Sequence, residues 1–142
     1  MKKNKLLMIM LILLVSILLV GGVAAVVIYK VKGTTAKKGP TIDQVLEDSY
    51  DLPQITTNLA SDGFIRMSFK IQTDSTNAKD EVTKRDFQIK NIIIQELSEK
   101  QAKDIQSKEG KLQLQETLKN KINELMQDGK VVKVYITDYL LQ

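Results

Sequence analysis

The chain contains no cysteine, no histidine and no tryptophan, and only 2 prolines in 142 residues. Without cysteine there is no disulfide, and without cysteine and histidine together there is no zinc site of the usual ligand sets. An absent cysteine fits an oxidising exterior without proving one, and with none near the apolar segment a lipoprotein is excluded. The missing histidine removes the commonest general base near neutral pH. Acid is also missing from residues 1–40, which carry Lys2, Lys3, Lys5, Lys30, Lys32, Lys37 and Lys38. The overall charge of +4 comes from that segment, and the remainder, holding all 17 acidic residues, is mildly acidic. A nucleic-acid partner, bound by neutralising phosphates, has no support in such a domain.

Charge of either sign is absent from Leu6 to Tyr29, a run of 24 residues in which Ser16 is the only aliphatic hydroxyl. As a helix the run is about 36 Å long at about 1.5 Å per residue, enough to cross a hydrocarbon core of about 30 Å with some tilt. A helix satisfies its own backbone in lipid, and Gly21 and Gly22 are tolerated there. The expected layout is a basic cytoplasmic tail at 1–5, a transmembrane helix at 6–29, a stalk or linker at 30–50 and an extracytoplasmic domain at 51–142. Lysines on the two sides nearly balance, but the dense cluster Lys2, Lys3, Lys5 resembles a signal-anchor and favours the N-terminus inside. The competing reading is a cleaved signal peptide, with Val23-Ala24-Ala25 or Gly22-Val23-Ala24 as the cleavage site. Against it, the apolar run continues through Val26, Val27, Ile28 and Tyr29 and exceeds an ordinary signal core. Gly21 and Ala25, one helical turn apart, permit close helix contact, which is also ordinary membrane-helix composition. The span carries no ionisable group, so it reads as an anchor or packing surface and not an ion path.

Beyond the apolar run, Lys30 to Pro40 reads as a basic, flexible spacer containing Gly33, Gly39 and Pro40. Thr41-Ile42-Asp43-Gln44 has capping-box spacing and predicts a short helix before Tyr50. Pro53 favours extended chain, and Ile55–Leu59 predicts a strand. In Phe64–Gln72, Ile65, Met67, Phe69 and Ile71 alternate with Arg66, Ser68, Lys70 and Gln72, a strand with one buried face. Asp62-Gly63 predicts a hairpin joining these two strands, and Asp74–Asn77 breaks the second. From about Thr83 the period becomes helical: Ile89, Ile93 and Leu97 recur four apart, with Ile92 beside them and Phe87 at the start. The isoleucines at 92–94 also suit a strand, but length and flanking polarity favour helix. Ser98 is expected to cap a continuation through Ile105, and Ser107 with Glu109 to begin a new helix. Its stripe is Leu114, Leu118, Ile122 and Leu125, with Met126 adjacent, and Gly129 suits a left-handed C′ stop. Val131–Leu141 predicts a last strand with Val132, Val134 and Ile136 on one face and Lys133, Tyr135 and Thr137 on the other. The fold class is α+β, a small sheet with helices on one face.

The pieces Leu97-Ser98, Ser107-Lys108-Glu109-Gly110, the helix with Leu118 and Ile122, Gly129-Lys130-Val131 and Tyr135-Ile136-Thr137-Asp138-Tyr139-Leu140-Leu141-Gln142 resemble the flagellar basal body-associated FliL family. The specific part covers about residues 85–142, its last eight residues most of all. The family likewise has a short basic start, one span, a variable stalk and a chain ending close to its last strand. The resemblance implies a bitopic protein of the cytoplasmic membrane with its C-terminal domain outside, of the stomatin/prohibitin (SPFH) type. It implies a place at the flagellar basal body, association with ion-driven stator units, homo-oligomeric rings, and support of torque, swimming, swarming and chemotaxis. It implies no catalytic residue, cofactor or metal. The matching motif positions are Gly110, Tyr135, Thr137, Asp138, Tyr139 and Gln142. Their structural reading is that Gly110 permits a helix turn and the two tyrosines pack the final strand. Arg66 and Lys70 on the wet face of the Phe64–Gln72 strand are a departure that the resemblance does not explain.

Two other functions are compatible with such a chain. An enzyme would have to use a Ser–Lys or carboxylate pair. Ser68 and Lys70 share a wet strand face with no desolvation to activate the lysine, and Asp80-Glu81 and Glu47-Asp48 are surface acids. An anchored subunit of another envelope machine, for secretion or division, fits the layout equally well. For ring formation the candidate contact groups are the wet strand face and the charged helix sides with Arg85, Lys90, Glu96, Lys100, Glu116 and Lys119, which also suit a solvated surface.

Overall fold

The computed structural model describes residues 2–33 and 39–142, so residues 34–38 of the spacer reading lie outside the described residues. The chain divides into two compact units, Met1–Gly39 and Pro40–Gln142. In the first, α1 runs from Lys2 to Gly33. Within it, Asn4–Lys30 is a helix of 27 residues, long and apolar enough to cross a membrane, with none of its most apolar stretch buried. Leu6 is 70% and Tyr29 87% exposed. Ser16 donates its hydroxyl to the Leu13 carbonyl at 2.8 Å, so the hydroxyl is satisfied inside the helix.

The second unit begins with α2 (Ile42–Glu47), whose start is the expected capping box: the Gln44 N–H donates to Thr41 Oγ1 and the Thr41 N–H to Gln44 Oε1. Three strands follow in the sheet order β1 (Ser49–Asn58), β2 (Phe64–Thr73), β3 (Val131–Leu141), all antiparallel. The α+β class is therefore as expected, with β2 central and the hairpin at Asp62-Gly63 in place.

In β2 the alternation holds through Ile71, with Ile65, Met67, Phe69 and Ile71 all buried, but Gln72, expected on the wet face, is buried as well. In β1 the strand starts six residues earlier than the apolar pattern suggests, because a register shift between Leu52 and Ile55 absorbs Pro53 and Gln54. A bulge is where a residue without an N–H is accommodated inside a ladder. It brings both Leu52 and Ile55 to the core.

In β3 strict alternation fails at both ends. A register shift opposite Gln72/Thr73 leaves Val132 unpaired, so Val131 and Val134 are buried while Val132 is 43% exposed. A second shift opposite Ser68/Phe69 leaves Thr137 as the extra residue. Ile136, just before it, packs on the core with Val134; beyond it the parity flips, and Tyr139 and Leu141 pack on the core. Of the expected inward set, Val134 and Ile136 face the core and Val132 does not, because each bulge places two residues against one.

The helices between β2 and β3 are α3 (Thr76–Lys84), α4 (Asp86–Ser98), α5 (Ala102–Gln106) and α6 (Lys108–Asn123). The stripes Ile89, Ile93, Leu97 and Leu114, Leu118, Ile122 are buried as predicted, so the isoleucine triplet is helical. Phe87 is 71% exposed and no part of the stripe. Ser98 ends α4 instead of opening a helix, donating back to the carbonyls of Ile94 and Gln95; α5 starts after Gln101, whose N–H is accepted by Asp104. Ser107 caps α6, accepting the Gly110 N–H at 2.9 Å. Gly129 is left-handed (φ +70°), but α6 has ended at Asn123, so the glycine serves the turn into β3 and not the helix stop.

Candidate functional site

β3 is an edge strand, and an edge strand carries a row of backbone groups facing away from its neighbour. Phe64 and Gln142 exchange both N–H···O bonds, at 2.8 and 2.9 Å. The antiparallel alternation then turns the backbone groups of Leu141 and Tyr139 away from β2.

The two halves of this edge are treated differently. At the start of β3, α6 reaches over it: Asn123 donates to the Val131 carbonyl at 3.0 Å and accepts the Val131 N–H at 2.7 Å. Gln115 donates to the Val134 carbonyl at 2.9 Å. Further along, α6 and β3 part to leave an open groove of about 470 Å³ lined by Lys108, Lys111, Leu112, Gln115 and residues 136–139. Its wall is mixed. Leu112 is half exposed, and the Lys111 ammonium sits 4.4 Å from the centre of the Tyr139 ring. Asp138 accepts the Tyr139 N–H at 2.9 Å and a bond from Gln54 of β1 at 3.3 Å, on the bulged part of the sheet.

The structure brings part of the predicted motif together here. Thr137, Asp138 and Tyr139 line the groove. Gly110 lies in the first turn of α6, and a Cβ there would meet the Asp104 carbonyl oxygen at 1.7 Å. Its need is close approach of α5, at an ordinary helical φ. Tyr135 is elsewhere, on the opposite sheet face, donating to buried Gln72 at 2.9 Å. Gln142 closes the sheet against Phe64. Sequence reading missed Lys111, Leu112 and Gln115; a half-polar helix face gives no local signal that a strand edge lies beside it.

The charged helix sides are engaged within the chain. Arg85 pairs with Glu81 at 2.7 Å, Lys90 with Asp86 at 2.6 Å, and Lys119 with Glu116 at 2.7 Å. Glu96 is buried and bridges Lys100 and Lys121. Burial pushes the Glu96 carboxyl up, but the bonds from Lys121 and Lys100 outweigh it and hold it below the usual range. Glu81 is held low chiefly by the Asp128 N–H. On the outer sheet face Lys70 is paired with Asp51 at 2.8 Å.

Residues 49–142 match the family described as flagellar basal body-associated protein FliL. The matched stretch begins at the first residue of β1 and includes the whole sheet and α3 to α6. The chain is 44% identical over 121 residues to the flagellar protein FliL of Bacillus subtilis (strain 168), covering 85% of this chain and 86% of that protein. It is 29% identical over 93 residues to the flagellar protein FliL of Aquifex aeolicus (strain VF5), covering 63% of this chain and 58% of that protein.

Proposed function

This chain belongs to the flagellar basal body-associated FliL family, a structural family and not one of enzymes, and from that premise we propose how it serves the motor. It is a single-pass protein of the cytoplasmic membrane, with residues 1–5 inside, 6–29 in the bilayer, 30–50 as stalk and 51–142 as the outer domain. It associates with stator units, assembles into homo-oligomeric rings and supports torque, swimming and swarming. Its sheet with helices on one face is of the stomatin/prohibitin type.

The observation that carries this reading is the combination of a membrane-length apolar helix and a family-matched domain in one short chain. An anchor confines the domain to two dimensions and raises its effective concentration near other membrane proteins. The groove beside the open half of β3 supplies a contact surface. An extended segment there gains main-chain bonds from the strand edge, apart from the Tyr139 N–H already given to Asp138, and side-chain contacts from Leu112 and Tyr139. The motif residues Thr137, Asp138 and Tyr139 shape that surface, while Gly110, Tyr135 and Gln142 hold the frame that presents it.

The test is deletion of the chain followed by swimming-speed and stator-occupancy measurements in media of increasing viscosity. Speed and occupancy are expected to fall as load rises. Unchanged motility under every load contradicts the proposal.

A further inference from the structure

The helix α2 presents an apolar pair to solvent. Ile42 and Leu46, one turn apart on one stripe, are 69% and 53% exposed, and none of the six residues of α2 is buried. So short a helix is marginal by itself, yet this one is firmly held. The capping box closes its start. At its end Lys79 donates to the Glu47 carbonyl at 2.9 Å, the Thr73 N–H to the Asp48 carbonyl at 2.9 Å, and Thr76 to the Asp48 carboxylate at 3.0 Å. The fold therefore maintains an apolar stripe that adds nothing to the core. Nearby, the first β3 bulge turns Val132 outward, and with Pro40 and Val45 it lines a shallow groove of about 310 Å³ beside α2.

Two features identify what covers the stripe. The first is reach: only nine residues separate the end of the candidate membrane helix, Lys30, from Pro40. At about 3.3–3.6 Å per residue that tether spans about 30 Å at most. Of the domain's elements, α2 is the first along the chain from the bilayer. The second is charge. The tether carries Lys32, Lys37 and Lys38 and no acid, and Lys130 and Lys133 flank Val132. Asp43 and Glu47 lie about 100° round the helix from the apolar pair, toward water when the stripe faces lipid.

We propose that the Ile42–Leu46 stripe docks on the surface of the phospholipid bilayer that holds the anchor. Its apolar side chains enter the headgroup boundary. The inference rests on the reading of Leu6–Tyr29 as a span, and the test separates the two. Because the chain has no tryptophan, each introduced tryptophan reports alone. Full-length Leu46→Trp, Ile42→Trp, Val15→Trp and Phe87→Trp variants are reconstituted in phosphatidylglycerol/phosphatidylethanolamine vesicles with or without brominated acyl chains. Val15→Trp reports the span, and Phe87→Trp an exposed site on α4. Leu46→Trp and Ile42→Trp are expected to emit to the blue of Phe87→Trp and to lose most of their intensity to the brominated lipid. Quenching no stronger than that of Phe87→Trp, with Val15→Trp strongly quenched, overturns the docking and leaves the span intact. A blue shift without bromine quenching means a protein covers the stripe and also overturns it. An unquenched Val15→Trp removes the span and the docking together.

Discussion

Lys121 places its ammonium 2.6 Å from one carboxylate oxygen of Glu96, while Lys100 holds the other at 3.1 Å. This joins α6 to α4 on the rim of the core, and Glu96 is only 5% exposed. Glu96→Gln keeps the shape and loses the charge-assisted bonds. We expect a loss of about 1–3 kcal/mol at neutral pH, read by denaturant unfolding of the full chain in detergent micelles. The carboxyl is held below its unfolded value of about 4.3. Its contribution is therefore full above about pH 5 and is lost as the pH falls through the folded value. The wild type and Glu96→Gln should converge in stability at acid pH. A constant gap down to pH 2 contradicts the assignment.

The opposite end of the pH scale belongs to Tyr50, whose hydroxyl donates to Asp86 at 2.8 Å. Burial, then the bond and charge of Asp86, push the phenol up to about 12. The folded state prefers the neutral phenol. The stability it adds is present below about pH 10, the ordinary value, and is lost as the pH rises through about 12. Ultraviolet titration should show a tyrosine ionising near pH 12, and Asp86→Asn should lower that value.

At Gly110 the expected defect is steric. A methyl group there overlaps the Asp104 carbonyl, which is backbone and has no rotamer to yield. Gly110→Ala should cost about 1–3 kcal/mol through displacement of α5 from α6. An unchanged thermal midpoint counts against the close approach as the reason for glycine.

Much of this architecture was visible in the residues, and the failures share a cause. Ile65, Met67, Phe69 and Ile71 announce β2 because a central strand covered on one face must alternate. The bulges at Pro53-Gln54, Val132 and Thr137 are invisible to a period-two count, since each arises from pairing with a distant strand. Helix α3 was missed because only Ala78 and Val82 of its nine residues are buried. The motif at Thr137–Tyr139 was legible as a string, but not the groove: Leu112 and Lys111 look like ordinary solvated positions until α6 is laid along β3.

The closed half of the β3 edge gives a separate test. Asn123 satisfies both the N–H and the carbonyl of Val131, so Asn123→Ala leaves two backbone groups of a buried residue without their partner. The expected loss is about 1–3 kcal/mol, with faster amide exchange at Val131. Exchange at wild-type rate contradicts a capping role.

For the open half, Leu112→Glu alters an exposed groove residue and should change stability by no more than about 0.5 kcal/mol. Swimming under viscous load should nevertheless fall toward the deletion level. Normal motility in this variant argues that the groove is not the contact surface.

Fluorescence imaging of the tagged full-length protein in flagellated cells tests the account most directly. Spots at the flagellar bases, lost in cells lacking the basal body, are the predicted result. An even distribution around the envelope, unchanged when the basal body is absent, contradicts it.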